Sequence, residues 1–243
     1  MDNKQALLQD FDDKGFIIIE DVYTHQEIEQ LLTAINSIPV NGSTFRKTNN
    51  LFAIRQFLNE VPVSRPLIFN DKLKGIIKQL LGDDFFATKA IYFDKPPQSN
   101  WFVAYHQDLT ISVNKRVDIN GYGPWTVKQN QFAVQPPIGI LENNFTIRIH
   151  LDDTDENNGA LKVISGSNRK GIYRAETIDW DTETEVFCPV KKGGIMLMRP
   201  LLLHASNRST NNLSRRVIHI EFSNSELPAE IAWSEKYNYH ETH

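Results

Sequence analysis

The sequence has a single cysteine, Cys188, among 243 residues. One cysteine forms no intramolecular disulfide, so the chain is not a small disulfide-stapled scaffold. Zinc sites built from several thiolates and iron–sulfur clusters are excluded for the same reason, which leaves histidine and carboxylate side chains as the ligands of any metal centre. Apolar runs are short as well, because stretches such as residues 16–19 and 201–203 fall far below the roughly 20 residues of a membrane-spanning helix.

An excess of positive charge is also missing. The chain has 26 Lys and Arg against 30 Asp and Glu, a net charge of −4, with no long basic block, which argues against a nucleic-acid-binding protein. The first 15 residues are acidic and amphipathic, unlike a signal or transit peptide. We therefore expect a cytoplasmic protein that has no membrane partner. Neither Gly-x-Gly-x-x-Gly nor a Walker A motif occurs, so the phosphate-cradling nucleotide folds have no support.

What the chain does have is enough apolar material for a folded core. Hydrophobic residues make up 40% of the sequence, which excludes wholesale disorder. We expect one domain over residues 1–243, since all-β folds of 200–250 residues are common as single domains. It would comprise a helical part at about residues 1–82, a β core at about residues 85–225 and a polar C-terminal tail.

The first 82 residues or so carry mainly helical patterns. Thr24 and Glu27 match a capping box, in which each side chain satisfies a backbone amide at the start of a helix. The apolar residues that follow have the spacing of one helix face: Ile28, Leu31, Leu32 and Ile35. We also expect helices over residues 3–14 and 71–81, with a short strand at residues 15–20.

From residue 85 onward the pattern changes to short runs rich in β-branched and aromatic residues, such as FATKAIYF, FTIRIHL and RVIHIEF. Turn-forming clusters such as DDTDENNG and SGSNRKG separate these runs. Many short strands divided by turns predict a β-sandwich or barrel rather than a βαβ fold. The predicted class is mainly β (α+β), a jelly roll with the N-terminal helices packed outside it.

His106 and Asp108 form a His-x-Asp pair on an apparently extended segment. Side chains two residues apart on a strand project from the same face, so both could reach one metal ion. A third ligand could come from His204, which follows an apolar run. Two histidines and one carboxylate are the ligand set of non-haem Fe(II) oxygenases. The alternative is that His106 simply hydrogen-bonds Asp108 at the rim of a barrel.

The other histidines have weaker claims to a metal. His150 and Asp152 form a second His-x-Asp pair, but Asp152 opens an acidic turn and is more simply a turn residue. His219 alternates with apolar neighbours, which favours packing or a solvated strand face. The remaining histidines are expected at the surface: His25, His240 and His243.

Two adjacent arginines, Arg215 and Arg216, follow His204 across a polar loop. A polar loop between two strands suggests an antiparallel hairpin, which would bring one arginine back beside His204. A guanidinium there could hold a carboxylate of a metal-chelating cosubstrate through paired hydrogen bonds. A surface pair of arginines flanking a strand is the alternative.

These motifs, taken in order, resemble the phytanoyl-CoA dioxygenase family, which includes the ectoine hydroxylases. The resemblance rests on Lys95-Pro-Pro97, His106-Gln-Asp108, His204-Ala-Ser206 and an arginine eleven residues after His204. It extends over roughly residues 8–225 and includes TIRIHLDDTDENNGALKVISGSNRKG, which is similar to the family's central strand–turn–strand signature. The family's usual Pro-Gly-Ser-His ending is replaced here by Ser-Gly-Ser-Asn at residues 165–168.

The resemblance implies a double-stranded β-helix, the cupin-like jelly roll, with Fe(II) bound by His106, Asp108 and His204. It further implies 2-oxoglutarate and O2 as cosubstrates. Arg215 would hold the distal carboxylate of 2-oxoglutarate with the help of Ser206, whereas Arg216 would face the other way because adjacent strand residues alternate.

Several further residues are expected to border the cosubstrate or the substrate. Thr146, Arg148 and His150 share one face of their strand by alternation, so Thr146 would border the cosubstrate if that face lines the barrel. Arg148 would then be a substrate anchor, or else a surface residue, since a buried arginine is costly unless it is paired. The region from residue 110 to 142 is expected to form a lid or substrate wall. With its surroundings it would supply pocket and substrate contacts from Tyr105, Trp125, Lys128, Gln131 and Phe132.

The implied activity is hydroxylation of a small-molecule metabolite, with release of succinate and CO2. The presence of Asp108 favours hydroxylation, because related halogenases lack this carboxylate. Two alternatives stay open: a cupin-type metalloenzyme that does not use 2-oxoglutarate, and a non-catalytic jelly roll that binds a small molecule. The sequence defines neither the primary substrate nor the oligomeric state.

Overall fold

The computed structural model describes residues 3–49, 52–97, 99, 101–128 and 131–240. Helices α1–α6 span Asn3–Lys14, His25–Asn36, Phe57–Glu60, Arg65–Ile68, Asp71–Leu80 and Ile138–Asn143. Strands β1–β7 span Phe16–Ile19, Phe45–Lys47, Phe52–Arg55, Phe86–Lys95, Val103–His106, Ile111–Val113 and Trp125–Lys128. Strands β8–β14 span Gln131–Val134, Phe145–His150, Leu161–Ile164, Glu185–Cys188, Ile195–Met198, His204–Ser206 and Arg215–Ser223. None of the described helices is long and apolar enough to cross a membrane.

The helices predicted from the sequence form where their local signals place them. Helix α2 begins with the predicted capping box, in which the Thr24 side chain accepts from the backbone N–H of Glu27 and the Glu27 side chain accepts from that of Thr24. Helix α1 ends at Lys14, and Gly15 follows with a φ of 82°, a conformation that favours glycine. Helix α5 begins after Asn70, whose side chain accepts from the backbone N–H of Leu73.

Three antiparallel sheets form the β part of the molecule. A seven-stranded sheet has the order β1-β12-β9-β14-β4-β3-β2, a four-stranded sheet the order β11-β10-β13-β5, and a three-stranded sheet the order β6-β8-β7. The first two sheets pack together through one buried cluster, to which β12 contributes Met196 and Met198 and β10 contributes Leu161 and Val163. The prediction of a mainly β, jelly-roll fold is confirmed.

Strand β9 shows how one strand serves two layers. Its six residues are all buried, and successive side chains point to opposite faces. Phe145, Ile147 and Ile149 belong to the hydrophobic cluster that also contains α2 and α5 residues. The helices therefore cover the outer face of the seven-stranded sheet, and full burial of each apolar side chain there contributes roughly 1.5–3 kcal/mol. The polar residues of β9, Arg148 among them, face the four-stranded sheet.

The N-terminal third is less purely helical than the sequence suggested. Besides the predicted β1, it contributes β2 and β3, which extend the large sheet beyond β4. These strands have three and four residues. Runs this short carry little pattern of their own, because their hydrogen bonds come from pairing with a strand about 40 residues later in the chain.

The expected hairpin between His204 and Arg215 is wrong. Strand β13, which carries His204, pairs with β5 and β10 in the four-stranded sheet. Strand β14, which begins at Arg215, pairs with β4 and β9 in the seven-stranded sheet. The polar loop therefore crosses from one sheet to the other, so Arg215 approaches the cavity from the layer opposite His204.

The segment after β14 is also more structured than a polar tail. Ile231, Trp233 and Tyr239 are all buried. Isolated bridges join Trp233 to Val113 and Tyr237 to Ala87. The segment thus packs against the ends of the sheets, because its few apolar residues are spaced to reach existing clusters. His25 and His240 are exposed as predicted, whereas His243 lies outside the described residues.

Candidate metal and cosubstrate site

Strands β5 and β13 bring two histidines together at one end of the four-stranded sheet. His106 lies directly opposite His204 in the antiparallel register, with ring centroids 4.2 Å apart. Asp108 follows just beyond β5, where its backbone N–H donates to the carbonyl of Pro200 at 2.9 Å. One ligand atom from each of these three residues lies within 4.8 Å of the other two. Among the described residues, this is the group of His, Cys, Asp and Glu side chains that could hold a metal ion.

Both imidazoles are oriented by their own strands. Nδ1 of His106 is 2.9 Å from the carbonyl oxygen of Ala104, and Nδ1 of His204 is 2.8 Å from that of Leu202. A carbonyl oxygen only accepts hydrogen bonds, so each Nδ1 carries the proton and each Nε2 keeps its lone pair. The two Nε2 atoms each lie 3.9 Å from a carboxylate oxygen of Asp108. This is the tautomer that a metal ligand requires.

The protonation states also suit a divalent metal. Burial lowers the pKa of His204 to about 4, so this imidazole is neutral at pH 7. Burial would raise the pKa of the Asp108 carboxyl, but the surrounding histidines and Lys89 lower it to about 2. Its Oδ2 atom is buried and has no hydrogen-bond partner in the described part of the chain. A buried, ionised and unpartnered oxygen beside two imidazole lone pairs fits a Fe(II) ion.

A cavity of about 210 Å³ extends from these three residues between the two larger sheets. Residues of both sheets line it, and the polar ones beyond the three ligands are Lys89, Arg148, Ser206, Arg215, His219 and Glu221. The apolar lining includes Trp101, Phe93 and Leu161. A metal ion held by His106, Asp108 and His204 would therefore face a small chamber with a charged wall.

Arg215 projects into this cavity from β14 and is 3% exposed. Its Nη1 donates to the carbonyl of Gly159 at 2.5 Å, while its Nε is buried without a partner among the described residues. Burial, followed by the charge of Arg148, lowers the pKa of Arg215 to about 9, so the guanidinium stays protonated at pH 7. Ser206 and Thr146 each have a buried hydroxyl that also lacks a partner within the described ranges. These groups can donate to a carboxylate in the cavity.

Arg216 points the other way, as strand alternation predicted. Its Nε and Nη2 donate to the two carboxylate oxygens of Asp152 at 2.8 and 2.6 Å. This pairing also accounts for the second His-x-Asp motif, because Asp152 is engaged by Arg216. His150 is buried, and its Nδ1 lies 2.8 Å from the hydroxyl of Thr154. The interpretation of His150 and Asp152 as a strand-and-turn feature rather than a metal site agrees with these contacts.

Arg148 and a row of charged residues on the large sheet complete the cavity. Arg148 Nη1 donates to His219 Nδ1 at 3.1 Å, His219 Nε2 lies 3.4 Å from Glu221 Oε1, and Lys89 Nζ lies 2.7 Å from the same oxygen. The prediction that His219 has a packing or solvated role is wrong. Its position in the sequence carried the signal, since residues 215, 217, 219 and 221 share one face of a strand.

The remaining predicted residues lie around the cavity rather than in it. Trp125 is paired with Val134 in the three-stranded sheet and packs against the hydrophobic cluster of that sheet. Its expected place beside the cosubstrate is wrong, because residues 110–142 form a sheet of their own. Trp101, which the sequence reasoning missed, is the tryptophan that lines the cavity.

Tyr105 and Gln131 line two neighbouring spaces. Tyr105 borders an open cleft of about 830 Å³ that also reaches His106. Gln131 and Phe132 border a pocket of about 300 Å³ that shares Lys89 with the central cavity. The Lys128 side chain lies outside the described residues. Residues 110–142 thus wall two spaces next to the candidate metal site.

Comparison with known proteins identifies the family. The model of the family described as "Phytanoyl-CoA dioxygenase (PhyH)" matches residues 11–217. Phytanoyl-CoA dioxygenase domain-containing protein 1 of Danio rerio is 25% identical over 181 residues, which are 68% of this chain and 54% of that protein. The chain thus spans about half the length of that relative. A probable alpha-ketoglutarate-dependent hypophosphite dioxygenase of Stutzerimonas stutzeri is 21% identical over 87% of this chain and 75% of its own length.

Solved structures show the same fold. EctD from S. alaskensis with bound Fe superposes with a TM-score of 0.70 at 19% identity, over 92% of this chain and 76% of that one. HygX from Streptomyces hygroscopicus, solved with nickel, 2-oxoglutarate and hygromycin B, superposes with a TM-score of 0.64 at 15% identity, over 90% and 86%. The chain belongs to the phytanoyl-CoA dioxygenase family, as its motifs predicted, and that family consists of non-haem oxygenases that depend on Fe(II) and 2-oxoglutarate.

Proposed function

We propose that this protein is a Fe(II)- and 2-oxoglutarate-dependent dioxygenase that hydroxylates a small molecule. The observation that carries the proposal is the convergence of His106, Asp108 and His204, whose ligand atoms lie within 4.8 Å of one another at the wall of a buried cavity. Residues 1–243 would act as one catalytic domain, since the ligands and Arg215 come from two sheets that pack on each other.

Each of the three ligands has a definite part in holding the metal. His106 and His204 would bind Fe(II) through Nε2, while their Nδ1–H groups donate to backbone carbonyls and fix the ring planes. Asp108 would bind through its unpartnered carboxylate oxygen. When bound, Fe(II) with 2-oxoglutarate and O2 supplies the oxidation, in which 2-oxoglutarate becomes succinate and CO2 and the second oxygen atom enters the substrate as a hydroxyl group.

Arg215 would hold the distal carboxylate of 2-oxoglutarate. Its guanidinium is buried, protonated and lacks a carboxylate partner in the described part of the chain. Ser206, on the facing strand β13, would add a hydroxyl donor. This arrangement favours a 2-oxoglutarate enzyme over a metalloenzyme that does not use 2-oxoglutarate, because such an enzyme has no use for an anion-binding arginine in this place.

The substrate would be a small molecule, which the cavity volume of about 210 Å³ supports. The names of the related proteins refer to chemically different compounds, among them hypophosphite for the S. stutzeri relative and hygromycin B for HygX. Membership of the family therefore does not define the substrate. The walls that residues 110–142 provide, with Tyr105 and Gln131, would contact it.

Succinate formation tests the proposal. Protein loaded with Fe(II) under anaerobic conditions is exposed to 2-oxoglutarate, O2 and a panel of metabolites, and succinate is measured. We expect His204→Ala and Asp108→Ala to abolish succinate formation, whereas His25→Ala, which changes an exposed histidine on α2, leaves it intact. Unchanged turnover in both site variants would refute the assignment of the three ligands. Metal binding without any effect of 2-oxoglutarate would favour a different metalloenzyme, and protein that binds no metal would favour a non-catalytic module.

A further inference from the structure

Two buried arginines face the central cavity, but the proposed function accounts for only one. Arg148 is 6% exposed and Arg215 is 3% exposed. Both line the space beside the candidate metal ligands, and they come from the adjacent strands β9 and β14. Burying a guanidinium is costly unless an anion pairs with it. If Arg215 takes the distal carboxylate of 2-oxoglutarate, Arg148 still needs a partner.

The protein itself supplies no anion for Arg148. Within the described residues, no carboxylate oxygen lies within 4.0 Å of its guanidinium, and its Nε is buried without a hydrogen-bond partner. Its observed partner is Nδ1 of His219, at 3.1 Å. Because Arg148 donates to this atom, His219 Nδ1 carries the lone pair and the imidazole is neutral with its proton on Nε2. A neutral ring orients Arg148 but does not balance its charge.

The nearby carboxylates are already engaged. Glu221 pairs with Lys89 at 2.7 Å and accepts from His219 Nε2. Asp108 is the proposed metal ligand. Arg148 therefore reaches Glu221 only through His219, and the chain from Arg148 to Lys89 holds the guanidinium in place facing the cavity.

The net charge of the cavity leads to the same conclusion. Among the described lining residues, three side chains are cationic, Lys89, Arg148 and Arg215, and two are carboxylates, Asp108 and Glu221. A divalent metal and the dianion 2-oxoglutarate cancel each other. One positive charge is left over in a chamber from which most water is excluded, and a bound monoanion would balance it.

We propose that Arg148 binds an oxyanion group of the primary substrate, so that the substrate is an anionic small molecule held beside the metal. This inference rests on the proposed function, because it takes 2-oxoglutarate to be the partner of Arg215. His219 acts as a positioning residue in it. Carboxylate and phosphonate groups share the chemistry that a guanidinium fork recognises.

Calorimetric binding tests the inference without turnover. Protein loaded with Ni(II) and saturated with 2-oxoglutarate is titrated with propionate or methylphosphonate, and with propionamide as the uncharged isostere of propionate. We expect at least one of the two anions to bind the wild-type protein and propionamide not to bind. Arg148→Gln should weaken the binding of that anion about 10- to 100-fold, the effect of losing one charge-assisted hydrogen-bonded pair. Arg148→Lys, which keeps the charge, should weaken it less.

The matched control is Arg216→Gln, which removes the neighbouring strand's outward arginine and should leave the binding of the anion unchanged. Binding of 2-oxoglutarate itself to the Ni(II)-loaded protein separates the two proposals. If wild-type protein does not bind 2-oxoglutarate, the proposed function fails and this inference fails with it. If 2-oxoglutarate binds but neither anion binds better than propionamide, only the inference is overturned. Weakening of 2-oxoglutarate binding by Arg148→Gln as strongly as by Arg215→Gln would also overturn it, because Arg148 would then serve the cosubstrate.

Discussion

His106 and His204 lie directly opposite each other on neighbouring antiparallel strands, although 98 positions separate them in the chain. Their ring centroids are 4.2 Å apart, and each ring is hydrogen-bonded to a carbonyl two residues before it in its own strand. The pair exists only when β5 and β13 are paired. Metal binding at this place is therefore coupled to folding of the four-stranded sheet.

We expect a metal ion to raise the melting temperature of the protein through this coupling. At a free Ni(II) concentration 100 times its dissociation constant, the folded state gains about 2.7 kcal/mol. For a chain of this size that corresponds to roughly 5–10 °C. In His204→Ala the increase should be absent, whereas in His25→Ala it should be the same as in wild type. An equal increase in His204→Ala, measured by calorimetry or circular dichroism, would place the metal elsewhere.

Arg215 and Arg216 should differ in kind when each is replaced by glutamine. Arg215→Gln removes the cationic donor in the cavity, and truncating one partner of a buried charged pair costs about 2–5 kcal/mol. The KM for 2-oxoglutarate should then rise by at least about 30-fold. Arg216→Gln breaks the partly exposed pair with Asp152, so it should lower the free energy of unfolding by about 1 kcal/mol or less and leave that KM unchanged.

Initial-rate kinetics with varied 2-oxoglutarate, together with urea denaturation of both variants, would check this difference. Equal effects of the two substitutions on the KM would contradict the strand-face assignment, since it rests on the opposite directions of neighbouring side chains in β14.

Gly159 supports Arg215 from behind. Its φ is 88°, and its carbonyl accepts from Arg215 Nη1. A Cβ at this position would lie 2.6 Å from Lys95 Nζ and 3.1 Å from the carbonyl oxygen of Asn207. Gly159→Ala should therefore destabilise the protein by about 1–3 kcal/mol and raise the KM for 2-oxoglutarate, because the backbone that holds Arg215 must shift.

Gly75→Ala in α5 is the matched control for this substitution. A Cβ there meets no atom within 4 Å, so alanine should stabilise the helix by up to about 1 kcal/mol. Thermal melts and steady-state kinetics would compare the two variants. If Gly159→Ala behaved like Gly75→Ala in both measurements, the close approach between Gly159 and Lys95 would have no consequence.

Glu235 should make stability depend on pH. Burial raises the pKa of its carboxyl from 4.5 to about 8, and Lys89 only partly offsets this. Between these two values the folded protein holds a proton that the unfolded chain has released. The stabilisation is therefore full below about pH 4.5 and declines as the pH rises towards 8.

Glu235→Gln should remove this component of the pH dependence. The variant should be more stable than wild type at pH 8 by about 1 kcal/mol or more, since one pKa unit corresponds to about 1.4 kcal/mol. Glu226→Gln, at a position whose side chain is 88% exposed, should show the pH dependence of wild type. Urea denaturation at pH 5 and pH 8 gives the comparison. Parallel curves for Glu235→Gln and wild type would show that Glu235 does not titrate in this range.

Local patterns in the sequence were sufficient where the relevant interactions are local. The capping box at Thr24 and Glu27 and the end of α1 at Gly15 depend on neighbouring residues, and both form as predicted. Alternation along β9 and β14 depends only on the strand period, so it correctly placed Arg148 on an inner face and separated Arg215 from Arg216. The same rule applied to β14 would have found His219 and Glu221.

The partners of each strand were decided by the tertiary structure. The loop between His204 and Arg215 fits a hairpin as well as a crossover between sheets, and only packing of the whole jelly roll selects the crossover. Trp125 shows the same limit, because a count of residues after Asp108 does not reveal that residues 110–142 form a separate sheet.

The sequence by itself determined the family, the ligand types and the direction of each strand's side chains, since these follow from motifs and from a period of two residues. Only the tertiary structure decided that two sheets enclose one cavity, that Arg215 enters it from the side opposite His204, and that Arg148 is buried there beside a neutral His219. The physical reason is that strand pairing and burial depend on residues far apart in the chain, whose contacts no local pattern records.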